Sequence, residues 1–211
     1  RWLLPMAAAA VLAVALAGVW VATRGTDTAW EVARLEGMPK VGSGAVGASG
    51  RLGVGEWLET DAVSRAKMYV GMIGQVDVGP NSRIRLLRSR LTEHRLNLAR
   101  GSIQATISAP PRLFFVETAS AVAVDLGCMY TLEVDEAGAG LLHVTAGWVA
   151  FEHEGRESFT PAGAMCATRP GFGPGTPYYA DAAEELRAGL LKLDFERDRA
   201  GTLEAVLEAA R

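Results

Sequence analysis

Among the 211 residues there are two cysteines and three histidines. So few thiols exclude a disulfide-dense scaffold, which needs several bridges to replace a core. His94, His143 and His153 stand far from one another and from both cysteines, whereas a zinc site is built on closely spaced ligand pairs, so the spacing implies no metal. No G-x-S-x-G and no Walker A motif occurs, and neither a nucleophile elbow nor a phosphate loop is expected. "GSGAVG" at 42–47 fits G-x-G-x-x-G in letters only. More glycines and strand-like residues follow it, not a helix, so no dinucleotide site is expected there. Paired carboxylates (Asp135 with Glu136, Glu184 with Glu185) look solvated. These absences imply no enzyme, no cofactor and no identified small-molecule substrate. A net charge of −3 argues against nucleic acid as a partner.

Long apolar runs are absent as well, with one exception. Residues 2–22, "WLLPMAAAAVLAVALAGVWVA", carry no charge and lie between Arg1 and Arg24. A helix of that length, at about 1.5 Å per residue, just crosses a hydrocarbon core of roughly 30 Å. Trp2 and Trp20 stand where interfacial aromatics are favoured, and Pro5 falls in the first turn. Residues 1–24 are therefore expected to be a retained single-pass membrane anchor, with the lipid bilayer as partner through 2–22. A signal peptide has a shorter apolar core. Both ends read as cut from a longer chain.

From about 52 to 168 the pattern has period two. Ile84 and Leu86 alternate with Arg83 and Arg85, and Leu96 and Leu98 with Arg95 and Asn97. Ile103, Ala105 and Ile107 alternate with Ser102, Gln104 and Thr106; Tyr130, Leu132 and Val134 alternate with Thr131, Glu133 and Asp135. Turn chemistry separates the runs: "GPNS" at 79–82, "APP" at 109–111, "EAGAG" at 136–140, "PAG" at 161–163. Short half-buried strands with frequent turns predict an elongated all-β domain, sandwich-like or solenoid-like. The organisation expected is an anchor at 1–24, a glycine-rich lead-in at 25–50, the β domain at 51–168, a Pro/Gly linker at 169–180 and a helical tail at 181–211. The fold class is thus mainly β, with a transmembrane helix before the β domain and helices after it. The run "RIRLLRSRLTEHR" at 83–95 holds five arginines, which read as the wet faces of strands before they read as a binding patch.

Six segments in order resemble the FecR-type domain, a family of envelope-side sensors tied to a single transmembrane helix. They are "LGVGEWLETDAVSRAKMYV" (52–70), "GQVDVGPNSRIRL" (74–86), "LNLARGSIQATI" (96–107), "FFVETASAVAVDLGCMYTLEV" (114–134), "HVTAGWVAF" (143–151) and "PAG" (161–163). The resemblance implies a periplasmic β domain on a bacterial inner-membrane protein, with a signal-transducing rather than catalytic role, often as an anti-sigma factor. It implies another envelope or regulatory protein as partner. The alternative is an anchored structural or ligand-binding module without signalling. The family's Gly-Thr is Gly127-Cys128 here, and no receptor-contacting domain of the siderophore type follows residue 180.

If the domain is periplasmic, as the resemblance implies, Cys128 and Cys166 sit where disulfides persist. A bond between them would contribute about 3–4 kcal/mol by closing the loop from 128 to 166. The other reading is two buried thiols acting as small apolar residues.

Overall fold

The computed structural model describes residues 27–196 and 200–209. Among the described residues, eighteen strands precede two helices. The first eight are β1 (Trp30–Glu36), β2 (Lys40–Val41), β3 (Gly44–Ala45), β4 (Ser49–Leu52), β5 (Trp57–Glu59), β6 (Arg65–Val70), β7 (Gly74–Val78) and β8 (Arg83–Arg90). Then come β9 (Glu93–Ile107), β10 (Phe114–Glu117), β11 (Val122–Asp125), β12 (Met129–Val134) and β13 (Gly140–Ala146). The last are β14 (Trp148–His153), β15 (Arg156–Pro161), β16 (Ala164–Arg169), β17 (Gly173–Pro174) and β18 (Tyr178–Tyr179). The helices are α1 (Glu184–Phe195) and α2 (Ala200–Ala209).

The strands form two sheets. Sheet A runs β4–β1–β6–β7–β9–β12–β13–β16, with β17 and β18 beyond β16. Sheet B runs β3–β2–β5–β8–β9–β10–β11–β14–β15. The chain changes sheet every one or two strands, so each hairpin lies across from the next. β9 belongs to both sheets. Its first half pairs with β8 and, in parallel, with β10; its second half pairs with β7 and β12.

That sharing explains a phase change in the sequence. Leu96 and Leu98 point into the core from the first half, and Ile103, Ala105 and Ile107 from the second, so even positions give way to odd ones. Across β8, Ile84 pairs with Leu98 but Arg83 pairs with Arg100. Ala99 is thus an extra residue, a bulge that turns the strand over and bends it toward the other sheet. Gly101 completes the bend at φ +94°, where a side chain's Cβ would fall 2.3 Å from the Ser82 Cα. Ser82 is held at this corner: its amide donates to Thr60 Oγ1 at 2.8 Å, and the Ser102 amide donates to Ser82 Oγ at 3.0 Å.

One core fills the space between the sheets, with Trp30, Met68, Ile84, Leu96, Phe114, Tyr130 and Phe151 among its fully buried side chains. Trp30 pins β1 to sheet B. Its indole N–H donates to Ser89 Oγ at 2.8 Å, and its ring stacks on Phe114 with centroids 6.3 Å apart. Four strands, β1 to β4, lie between residues 30 and 52, where sequence reading placed a glycine-rich lead-in. The G-x-G-x-x-G letters form the β2–β3 hairpin turn, with Val46 buried after it.

The expected architecture is corrected at the membrane. The described chain is mainly β with two short helices, and no helix among the described residues is long and apolar enough to cross a bilayer. α1 has 12 residues, a length of about 18 Å against a core of roughly 30 Å. The span expected at 2–22 lies outside the described residues. α1 begins with Glu184 and Glu185 in its first turn and holds Lys192 in its last, both favourable to the helix dipole. Asp194 fastens it to the strand-rich part by accepting the Thr176 amide at 2.6 Å, and Phe195 sets its ring edge-on to Phe172.

Two outcomes follow from this packing. Gly101→Ala combines an unfavourable φ with a backbone clash and should lower unfolding free energy by about 3 kcal/mol or more; equal midpoints for variant and wild type in urea would contradict the corner geometry. His94 is buried beside Trp30, with no partner for Nδ1 among the described residues, and burial holds its pKa below the ordinary value. Its neutral form is the one the fold favours. Stability is therefore complete above about pH 6.5 and is lost as pH falls below it, because the unfolded chain binds the proton first. Unfolding curves of His94→Phe should show less of this loss than wild type between about pH 6.5 and 5.

Candidate functional site

The residues 124–130 build a buried polar knot at the end of β11. Asp125 turns inward and is 1% exposed. Its Oδ1 accepts the Gly127 amide at 2.7 Å and its Oδ2 accepts the Cys128 thiol at 2.7 Å. Gly127 stands at φ +87°, which lets the chain fold back over the carboxylate. Gly147 faces it from the start of β14, where a Cβ would lie 2.3 Å from the Gly127 carbonyl oxygen. Burial raises the pKa of Asp125. Burial, and then the hydrogen bond and charge of Asp125, push the Cys128 thiol far above its ordinary value. A fully buried Tyr130 hydroxyl near this pair has no hydrogen-bond partner among the described residues. Such a thiol is protonated and shielded; it is a hydrogen-bond donor and not a nucleophile.

The two cysteines offered as a disulfide pair are free and buried. Cys166 lies in β16 opposite Leu142 of β13, whereas Met129, next to Cys128, lies in β12 opposite Ala146 of β13. The thiols are thus on the two strands flanking β13, about four residues apart along it. At about 3.3 Å per residue and 4.8 Å per strand this exceeds 10 Å, while a disulfide needs Cα atoms within about 7 Å. Cys166 has its own partner, the Gly175 carbonyl at 3.4 Å, and burial pushes its pKa up to about 11.

The histidines do not converge. His94 is in the core, His143 sits half-buried on β13 opposite Met165, and His153 ends β14. No group of three or more His, Cys, Asp or Glu able to hold a metal occurs among the described residues.

The outer face of sheet B carries the arginine run. Four of its five arginines are paired with carboxylates: Arg83 with Glu59 at 2.8 Å, Arg88 with Glu93 at 2.8 Å, Arg90 with Asp27 at 3.2 Å, and Arg95 with both Glu93 and Glu117 at 2.8 and 2.7 Å. Arg83 also lies 4.2 Å from the Trp57 ring centre, and Arg95 4.4 Å from that of Phe115. Arg85 has no carboxylate partner among the described residues; it donates to the Gly55 carbonyl at 2.9 Å and lies 5.6 Å from the Trp57 ring centre.

Beyond β10 the same face changes character. Phe115, Val124, Ala150 and Phe159 are register neighbours on β10, β11, β14 and β15. Trp148 lies beside them, 52% exposed, and Phe159 is 50% exposed. Sequence reading missed this strip. Its signal was there in "AVAV" and "WVAF", which are apolar at both parities and so cannot leave a polar outer face. A cleft of about 440 Å³ adjoins the strip, between the turns at 118–122 and 152–157, lined by Thr118, Glu152, His153 and Arg156 among others. Arg112, at φ +65°, bonds Glu152 at 2.7 Å and reaches Glu157 at 3.5 Å. Val124 and Ala150, in the middle of the row, are fully buried, so the strip is open at Trp148 and Phe159, with charged side chains beside them.

No family model matches the chain, and no curated protein matches it in sequence. The fold does match solved structures. A crystal structure at 1.65 Å of a protein from Parabacteroides distasonis, described as a "putative anti-sigma factor", superposes with a TM-score of 0.50 at 13% identity, over 64% of this chain and 64% of that one. A second structure with the same description, at 2.50 Å, gives the same score and identity over 64% and 63%. The match thus takes in less than two thirds of the neighbour's length. At this identity the likeness speaks to the fold alone.

The Cys128 thiol bonds Asp125 as a hydroxyl would. Cys128→Thr should therefore stay within about 1 kcal/mol of wild type, while Cys128→Val leaves a buried carboxylate oxygen without its donor and costs about 1–3 kcal/mol. Urea unfolding of the two variants tests this; valine being better tolerated than threonine would contradict it.

Proposed function

We propose that this chain is a regulator of the anti-sigma kind. In this reading its β domain lies outside the cytoplasm and takes up or passes on an envelope signal through contact with another envelope or regulatory protein. The observation that carries the reading is the two-sheet fold, shared with a protein described as an anti-sigma factor. The six FecR-like segments support it, since they fall in order on that fold. The segment 52–70 gives β5 and β6, 74–86 gives β7 and the start of β8, and 96–107 lies within β9. The segment 114–134 gives β10 to β12, 143–151 spans β13 and β14, and "PAG" is the β15–β16 turn. The candidate site supports a binding role through two half-exposed aromatic side chains, Trp148 and Phe159, on a rigid sheet. A regulator of this kind acts by occupancy and by passing a conformational bias, so it needs an interface and no reacting group.

Two measurements on the intact gene product test the reading. Deleting the gene should change transcription of a discrete set of genes sharing one promoter class. A β-lactamase fused after Arg211 should protect whole cells from ampicillin, as it does only outside the cytoplasm. An unchanged transcriptome would remove the regulatory assignment, and a fusion active only in lysed cells would remove the location.

A further inference from the structure

The free edge of β15 ends the aromatic strip, and we propose that it is a docking site for an extended segment of a partner protein. That segment would add as a further strand to sheet B, with an apolar side chain facing Phe159 and a basic one facing Glu157.

Register fixes which backbone groups of β15 face outward. β14 and β15 pair with Trp148 opposite Pro161 and Ala150 opposite Phe159. Just beyond, the Ala162 amide donates to the Gly147 carbonyl at 3.0 Å. Antiparallel bonding alternates from there, so residues 160, 158 and 156 spend their backbone groups on β14. The N–H and C=O of Glu157 and Phe159 point the other way, toward the edge, and neither has a backbone partner among the described residues. An edge of this kind is a template for another strand.

The chain's own nearby segment does not fill the template. Residues 174–177 run alongside, leaving a groove of about 230 Å³ between them and Arg156–Ser158. Pro174 and Pro177 have no N–H to give. The Gly175 amide is taken by the Ala167 carbonyl, and the Thr176 amide by Asp194. That segment has no N–H to spare for the edge carbonyls, and none of its carbonyls accepts from Glu157 or Phe159 among the described residues.

Side chains specify what would add. The row Phe115–Val124–Ala150–Phe159 is apolar along its whole length and stops at the edge with Phe159 half exposed. A residue opposite Phe159 would continue that row, and cross-strand apolar pairs are the unit of sheet stabilisation. In the adjacent row Glu152 stands opposite Glu157, two like charges with Arg112 as their one cationic bridge. A lysine or arginine opposite Glu157 would neutralise the surplus. The recognised element is thus a strand with a basic residue two positions from an apolar one. This follows from the edge geometry and does not require the regulatory reading.

The test uses the full chain and a fluorescein-labelled peptide, TKVKVFVKT, followed by anisotropy, with TEVEVFVET as its charge-reversed control. Saturable binding of the basic peptide is expected. Glu157→Pro removes the outward N–H without touching a β14 bond and should weaken binding at least tenfold. Glu157→Lys should invert the preference between the two peptides. Circular dichroism melts of each variant confirm folding, so a lost signal reads as lost docking. The proposal is overturned if the basic peptide shows no saturable binding up to 1 mM. It is overturned equally if wild type and Glu157→Pro bind alike, or if light scattering shows a dimer that Glu157→Pro dissolves, since the occupant is then a second copy of this chain.

Discussion

The fold hangs on β9. A single run from Glu93 to Ile107 supplies the central strand of both sheets, so the two halves of the core cannot separate without breaking one continuous backbone. What makes the sharing feasible is a bulge at Ala99 followed by a glycine at positive φ. The bulge turns the strand over so that it presents apolar residues to the core from both sheets, even-numbered before and odd-numbered after. The buried hydroxyls of Thr60 and Ser82 close the corner and occupy the backbone groups that the bend leaves unpaired.

Position of the candidate face is a consequence of that crossing. β10 lies parallel to the first half of β9, and β11, β14 and β15 extend the sheet outward from it. Near the crossing, the outer face of sheet B is a lattice of arginine–carboxylate pairs. Farther out it becomes aromatic, where the apolar strip reaches an edge with unspent hydrogen-bonding groups. Charge near the centre is compensated within the protein and contributes little to a partner; the open aromatic edge is where contact with another chain would gain most.

Much of this was legible in the residues. Period-two alternation located about half of the strands between 57 and 168, β8, β9 and β12 among them, and the parity change between Leu98 and Ile103 was visible as letters, though its meaning required knowing that β9 serves two sheets. Apolar runs at both parities in 121–124 and 148–151 marked strands covered on both sides, a signal that composition alone does not separate from core. The N-terminal strands were not legible. β2 and β3 have two residues each, too short for a period, and their glycines read as a flexible lead-in. The state of the two cysteines was not legible either: the residues left a bond and a pair of buried thiols equally open, and the register on β13 sets the two apart. Cys128 instead does the work of a hydroxyl, which a thiol beside a buried aspartate can do and which sequence spacing alone does not reveal.

Native-state hydrogen exchange across β9 tests the central claim most directly. If one strand unites both sheets, the amides of Leu96 and Leu98 and those of Ile103 and Ala105 should open with the same free energy, equal to that of global unfolding, and with the same denaturant dependence. Two distinct opening energies, with one half of β9 exchanging while the other stays protected, would show that the sheets are separate cooperative units and would contradict the account.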